Sequence, residues 1–323
     1  MHHPDHARAA THLTESDVRR LLRPAHVIEA IEAAFRDRLP TVTIAPRTHL
    51  PLPHGVLLIM SCYDPSRPAL GIKFATVRSR SEPLQPDQLQ DRVHASYLLL
   101  DPETAAPRLS IAANYLTALR TAATSALATK YLAPETVSTL GVFGTGALAR
   151  THLAVLPLVR NFQRILVCGR EAQPTTAFAS EISVELDRAV VAADSRTLAA
   201  ESDVICTCTT SPSPLFDGHT LRPGTHLNLV GAFQPHTREV DSVTIQRARV
   251  VVDTYSGARA EAGDILIPLA ENAISDNHIA ADLHELVSRK KKGRLSPEDI
   301  TIFKSVGCAL EDLVTAELLL GIH

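Results

Sequence analysis

Three cations sit in sequence settings that ordinary surface charge does not explain. Lys73 lies inside the apolar run Gly71-Ile72-Lys73-Phe74-Ala75. Arg120 opens the small-residue stretch Arg120-Thr121-Ala122-Ala123-Thr124-Ser125-Ala126, and Arg47 follows Pro46 in a turn-like segment. Guanidinium forks grip carboxylates with fixed geometry, and a lysine drawn into apolar surroundings gives up its proton more readily than one in water. On the residues alone, Lys73 is either a charge guarding an edge strand or a buried functional amine.

A second constellation is the run Leu140-Gly141-Val142-Phe143-Gly144-Thr145-Gly146-Ala147-Leu148-Ala149. It reads as a strand passing straight into Gly-x-Gly-x-x-Ala and then a helix. Gly144 permits the tight turn, Gly146 lets a pyrophosphate approach backbone amides, and Ala149 keeps helix and sheet close. The motif alone is weak, but in this strand–turn–helix–strand context it predicts a dinucleotide site. The next strand ends Val167-Cys168-Gly169-Arg170, where an NAD-preferring domain usually carries an acid for the ribose hydroxyl. Arg170 suits a 2′-phosphate, so NADP(H) is the favoured cofactor. Glu171 leaves NAD(H) open, and an exposed arginine after a strand is the plain alternative.

The elements that must position these residues fall into two texts. Thr14 with Asp17 reads as a helix cap, opening a helix through about Leu22, and Pro24 starts a second helix reaching about Arg38. Short apolar runs at 56–60, 70–77 and 96–100, broken by Pro, Gly and Asp, predict a mostly antiparallel sheet. The Ala- and Leu-rich stretch 114–132 predicts a long helix. Strand candidates then recur at 137–143, 165–168, 190–192, 204–208, 226–230 and 250–253, with helical segments at 147–158 and 174–185. That alternation predicts an α/β chain with a doubly wound parallel sheet. A last apolar helix is expected over 306–320.

Composition narrows the function. With 323 residues, 45% hydrophobic and 21% charged, the chain suits two ordinary globular domains. A net charge of −3 gives no general attraction to nucleic acid or anionic membrane, and no apolar stretch nears the roughly 20 residues of a membrane span. The basic run Ser288-Arg289-Lys290-Lys291-Lys292-Gly293-Arg294 lacks interleaved aromatics and reads as a solvated loop. No Gly-x-Ser-x-Gly elbow argues for serine hydrolysis, and Tyr255-Ser256-Gly257 reads as a turn into a helix. The five cysteines fit no zinc spacing and predict a reducing, cytoplasmic setting. His2, His3 and His6 read as a solvated tail, so no metal is expected.

The run from Arg120 to Ala128 followed by Gly144-Thr145-Gly146 resembles the ornithine cyclodeaminase/mu-crystallin family. His226-Leu227-Asn228-Leu229-Val230-Gly231-Ala232 and Phe303-Lys304-Ser305-Val306-Gly307 match further family blocks. The resemblance spans nearly the whole chain. It implies an α+β substrate-binding and dimerisation domain from residues 1–127 and 300–323, with a Rossmann domain of 128–299 inserted, and a homodimer. It also implies that Arg47, Lys73 and Arg120 hold a substrate carboxylate and that Lys73 relays a proton. Glu261 is a secondary candidate for touching the substrate nitrogen, against a plain surface acid, and His94 is a weaker one. The candidate cofactor contacts are Thr121, Gly144, Thr145, Gly146, Ala147, Arg170 and Val230.

Two departures point to a branch. Phe233 stands where the family's cyclodeaminases carry a catalytic aspartate, and Lys304 stands where they tend to have Asp. The segment Ala232-Phe233-Gln234-Pro235-His236-Thr237-Arg238-Glu239-Val240-Asp241 and the run from Glu261 to Pro268 look like ketimine reductases of this family. The implied reaction reduces the cyclic imine Δ1-pyrroline-2-carboxylate to L-proline, with Δ1-piperideine-2-carboxylate as a second small imino-acid substrate. The other readings are an amino-acid or opine-type dehydrogenase, a cyclodeaminase with displaced groups, or a non-catalytic NADP-dependent ligand-binding protein. Retention of Arg47, Lys73 and Arg120 favours catalysis over passive binding.

Overall fold

The computed structural model describes residues 10–78 and 93–320; the histidines at 2, 3 and 6 lie outside them. The chain divides into two compact units: residues 1–120 with 309–323, and residues 121–308.

The first unit is built on a seven-stranded sheet. Its strands are β1 (Thr11–Leu13), β2 (Thr43–Ile44), β3 (Thr48–Leu52), β4 (Gly55–Asp64), β5 (Ala69–Arg78), β6 (Val93–Leu100) and β7 (Pro107–Ala112). The order is β1-β7-β6-β5-β4-β2, with β3 also on β4. All neighbours are antiparallel except β1 and β7. Helix α1 (Glu15–Leu21) starts on the capping box of Thr14 and Asp17, worth about 1 kcal/mol. Helix α2 (Pro24–Asp37) buries Val27, Ile28, Ile31, Ala34 and Phe35, one stripe at helical spacing. Truncating the fully buried Phe35 to Ala would cost about 3–5 kcal/mol. The division between units falls inside helix α3 (Asn114–Leu132).

The second unit carries an eight-stranded, wholly parallel sheet. Its strands are β8 (Thr139–Phe143), β9 (Arg164–Cys168), β10 (Val190–Ala192), β11 (Val204–Thr207), β12 (His226–Leu229), β13 (Ala248–Val252), β14 (Ile279–Asp282) and β15 (Ile300–Lys304). The order β10-β9-β8-β11-β12-β15-β13-β14 reverses between β8 and β11, the switch point of a doubly wound fold. Between the strands run α4 (Ala147–Val155), α5 (Ala172–Glu185), α6 (Ser195–Glu201), α7 (Ser242–Arg247), α8 (Tyr255–Glu261), α9 (Gly263–Ala270) and α10 (Leu283–Val287). Strands β8, β11 and β12 are buried at every position, as expected for a parallel sheet covered on both faces, and they carry the polar side chains of Thr139, Thr207, His226 and Asn228 inside with them.

Four sequence expectations change. Residues 121–127 and 300–308, assigned to the first unit, belong to the second: the division falls after Arg120, and β15 lies between β12 and β13. The strand ends in Lys304, a charge that masks it in the sequence and that pairs with buried Asp264 in the fold. The last helix, α11 (Ala309–Glu317), starts later than residue 306. Asp253 accepts hydrogen bonds from Ser305 Oγ (3.0 Å), Val306 N (2.7 Å) and Gly307 N (2.8 Å), holding that segment out of the helix. Tyr255-Ser256-Gly257, expected as a turn, is the first turn of α8, capped by Thr254. In the basic run, Arg294 is structural, donating to the carbonyls of Leu132 (2.8 Å) and Gly224 (2.9 Å).

Candidate active site

Lys73 resolves its sequence ambiguity by position. Strand β5 lies between β4 and β6, so it is no edge. Alternation puts Ala69, Gly71, Lys73 and Ala75 on the covered face, and Lys73 is 2% exposed. Its ammonium meets both oxygens of Asp312 on α11, at 2.8 and 2.7 Å. Arg120 on α3 donates Nε to Asp312 (3.0 Å) and Nη1 to Glu311 (2.6 Å). Arg47, half-buried between β2 and β3, is close enough to bear electrostatically on both Lys73 and Asp312. The three cations singled out by sequence are thus gathered around one buried carboxylate.

The electrostatics follow from that packing. Burial, and then the neighbouring Arg120, pull the Lys73 ammonium down to about 8, against the opposing pull of Asp312. Burial pushes the Asp312 carboxyl up, but Arg120 and Lys73 outweigh it and hold the group below the usual carboxylate range. Tyr97, paired across the sheet with Lys73, is fully buried, and burial together with Asp312 keeps its hydroxyl protonated. Such a group of cations can hold a carboxylate, and a lysine titrating near 8 can deliver a proton.

Glu311 and Asp312 escaped the sequence reading. Their signal was present: two consecutive acids inside an apolar helix, in a chain with three unexplained cations. Both are fully buried. His94 is not brought to Lys73; it is exposed on β6, on the face opposite Tyr97. Glu261 belongs to the second unit, where it ends α8 and is 8% exposed, so it is no surface acid.

In the second unit the glycine motif forms the expected turn. Gly144 adopts φ +113°, and a Cβ there would stand 2.6 Å from the Cys208 carbonyl. Gly146 is the N-cap of α4, and a Cβ on it would meet nothing within 4 Å. Helices α1, α6, α7, α8 and α10 each start on a side-chain cap from Thr14, Asp194, Asp241, Thr254 and Asp282. Helix α4 has no side-chain cap and no acid in its first turn. Thr145, Gly146 and Ala147 are exposed residues at this uncapped helix start, an arrangement that fits a dinucleotide pyrophosphate. Arg170 and Glu171 are exposed beyond β9, Thr121 is buried in α3, and Val230 is buried after β12. Among the described residues no group of three or more His, Cys, Asp or Glu is placed to hold a metal.

A second buried charge cluster lies at the carboxyl end of the parallel sheet. Lys304 meets Asp264 at 2.9 Å and donates to the Ala232 carbonyl. Asp264 accepts from the backbone N–H of Glu239 (2.7 Å) and Val240 (3.2 Å). Burial and Asp264 push the Glu239 carboxyl up, while Lys304 and the hydroxyls of Thr209 and Thr207 draw it down. Phe233, where an acid would serve deamination, packs against the apolar core of this unit.

Comparisons with known proteins agree with one another. The sequence profile of the ornithine cyclodeaminase/mu-crystallin family matches residues 9–320. The Δ1-pyrroline-2-carboxylate reductase of Bacillus cereus is 32% identical over 312 residues, covering 95% of this chain and 94% of its own. The structure of Thermococcus litoralis Δ1-pyrroline-2-carboxylate reductase in complex with NADH and L-proline superposes with a TM-score of 0.90 at 36% identity, covering 95% of each chain. An archaeal alanine dehydrogenase dimer with bound NAD gives 0.88 at 28% identity, covering 96% of this chain and 94% of that one. Sequence, fold and glycine turn lead to one assignment: the chain belongs to the ornithine cyclodeaminase/mu-crystallin family.

Proposed function

We propose that the protein is an NAD(P)H-dependent ketimine reductase that converts Δ1-pyrroline-2-carboxylate to L-proline and also accepts the six-membered Δ1-piperideine-2-carboxylate, giving L-pipecolate. The observation that carries the reading is Lys73, a buried ammonium on an internal strand, bonded to Asp312 and flanked by Arg120. The similar reductases support the substrate class, one of them holding NADH and L-proline. Phe233 argues against deamination, because an aromatic ring accepts no proton.

The chemistry divides between the chain and its cofactor. The bound nicotinamide supplies a hydride for the imine carbon. Arg47 and Arg120 bind the substrate carboxylate and orient the adjacent C=N bond. Lys73 holds a proton at Nζ and gives it to the imine nitrogen, which makes the carbon electrophilic. Asp312 keeps Lys73 charged enough to do so despite burial. Glu261 is a further candidate contact for the nitrogen. Thr121 and Val230 join the glycine turn in holding the dinucleotide, and Arg170 favours NADPH by pairing with its 2′-phosphate.

A homodimer is the proposed assembly. Strand β3 exposes Leu50 and Leu52 on the first unit, and the similar alanine dehydrogenase is a dimer. All five cysteines are free, in keeping with a reducing cytoplasmic setting, and no described helix is long and apolar enough to cross a membrane.

The test is NADPH oxidation with Δ1-pyrroline-2-carboxylate, Δ1-piperideine-2-carboxylate and, separately, pyruvate plus ammonia. Fast oxidation with a cyclic imine, and L-proline or L-pipecolate as product, is expected. Turnover with pyruvate and ammonia alone would move the protein to the amino-acid dehydrogenases.

A further inference from the structure

The proposed chemistry uses the turn after β8 but gives no task to the charges buried at the ends of β11 and β12. In a doubly wound sheet a dinucleotide lies across the carboxyl ends of the strands where their order reverses. Here that point is between β8 and β11. The turn after β8 suits the phosphates, so the loops after β11 and β12 meet the nicotinamide half.

One carboxylate joins those two loops. Glu239 accepts from Thr207 Oγ1 (2.7 Å), Thr209 N (2.8 Å), Thr209 Oγ1 (2.7 Å), Gly231 N (2.7 Å) and Ala232 N (3.2 Å). The first three donors belong to the end of β11 and its loop, the last two to the loop after β12. Gly231 makes the junction sterically possible. A Cβ there would lie 2.0 Å from the Thr209 carbonyl and 2.4 Å from Glu239 Oε1. Asp264 fixes the backbone of Glu239 itself, and Lys304 ties Asp264 to the Ala232 carbonyl. Glu239, Asp264 and Lys304 are all fully buried, so they act through the loops and do not touch a ligand.

We propose that Glu239, Asp264 and Lys304 are positioning residues for hydride transfer, fixing Thr209 and the Gly231–Ala232–Phe233 backbone as the seat of the nicotinamide half of the dinucleotide. The inference rests on the cofactor reading above. All five bonds to the Glu239 carboxylate come from donors, so an amide at this position must turn an NH2 group against some of them. The two loops then lose their common anchor while the turn after β8 keeps its own geometry.

Glu239→Gln tests this with two ligands: NADPH, and 2′,5′-ADP, which carries only the adenosine half. Direct binding to the purified protein should show 2′,5′-ADP unchanged within about twofold and NADPH weakened about tenfold. The same variant should lose about 100-fold in kcat with Δ1-pyrroline-2-carboxylate while its KM for the imine stays put. Equal weakening of both ligands would mean general loosening of the unit and would overturn the proposal, as would no change in either. Thr209→Val keeps side-chain shape but removes one donor to the carboxylate. It should show the same selective loss at about threefold, and it decides the matter if Glu239→Gln does not fold. Wild-type protein that bound neither ligand would remove the cofactor reading itself, a result distinct from selective failure in the variants.

Discussion

Each unit buries a cluster of opposite charges, and the two clusters are made with different kinds of partner. In the antiparallel-sheet unit, Glu311 and Asp312 meet the side chains of Lys73 and Arg120. In the parallel-sheet unit, Glu239 and Asp264 meet mainly backbone N–H groups and threonine hydroxyls, with Lys304 as the balancing cation. Cations on long stems can turn from a protein carboxylate to a substrate carboxylate; backbone amides cannot move without their loops. The first cluster is therefore suited to exchanging partners and the second to holding a shape. Neither is explained by stability alone, because well-packed apolar residues in place of a buried ion pair are often neutral or stabilising.

Four substitutions or conditions sharpen this contrast. The largest effect is expected from Lys73→Met, which should reduce imine turnover about 1,000-fold, within the usual range for a lost general acid. NADPH binding should be untouched, whereas Glu239→Gln should lose NADPH binding as well as turnover, and near-wild-type turnover would eliminate Lys73 as the proton donor. Asp312→Asn keeps shape but removes the anion between Lys73 and Arg120, so kcat/KM should fall between about 10- and 100-fold. A melting curve would separate this from the cost of breaking a buried pair, about 3–5 kcal/mol. Arg170→Ala should raise the KM for NADPH about tenfold and leave NADH within about twofold; equal losses with both cofactors would cancel the 2′-phosphate assignment.

The smallest effect concerns neither cluster. Burial holds His152 at about 4 and His226 at about 3, below the ordinary 6.5. The unfolded chain therefore takes up these protons first. Their contribution is complete above pH 6.5 and is lost as pH falls toward the folded values, with each unit of difference worth about 1.4 kcal/mol. Melting temperature should drop measurably between pH 7 and pH 5. An unchanged melting temperature would show that these histidines do not govern acid stability.

Much of the fold was legible because its signals are local. The Thr14–Asp17 box, the stripe from Val27 to Phe35 and the strand entering Gly144 each declare themselves within a dozen residues. Strand β15 was not legible. Ile300–Lys304 is short, ends in a charge and takes its place only through pairing with β12 and β13. Arg47, Lys73 and Arg120 stood out as cations in the wrong text, yet their common partner Asp312 lies 192 residues beyond Arg120. Nothing in local spacing brings those positions together. Glu239, Asp264 and Lys304 were hidden for the same reason: each looks like a surface charge until its donors and counter-ion are assembled around it.

The most direct test of the central claim, that the Lys73 ammonium held by Asp312 protonates the imine, is kcat/KM for Δ1-pyrroline-2-carboxylate across neutral and alkaline pH in wild-type protein and in Asp312→Asn. Wild-type kcat/KM should fall as pH rises through about 8, where Lys73 loses its proton. Because the Asp312 charge raises the lysine, Asp312→Asn should move that limb to lower pH. A profile that stays level through this range, or a limb that does not move in Asp312→Asn, would contradict the account.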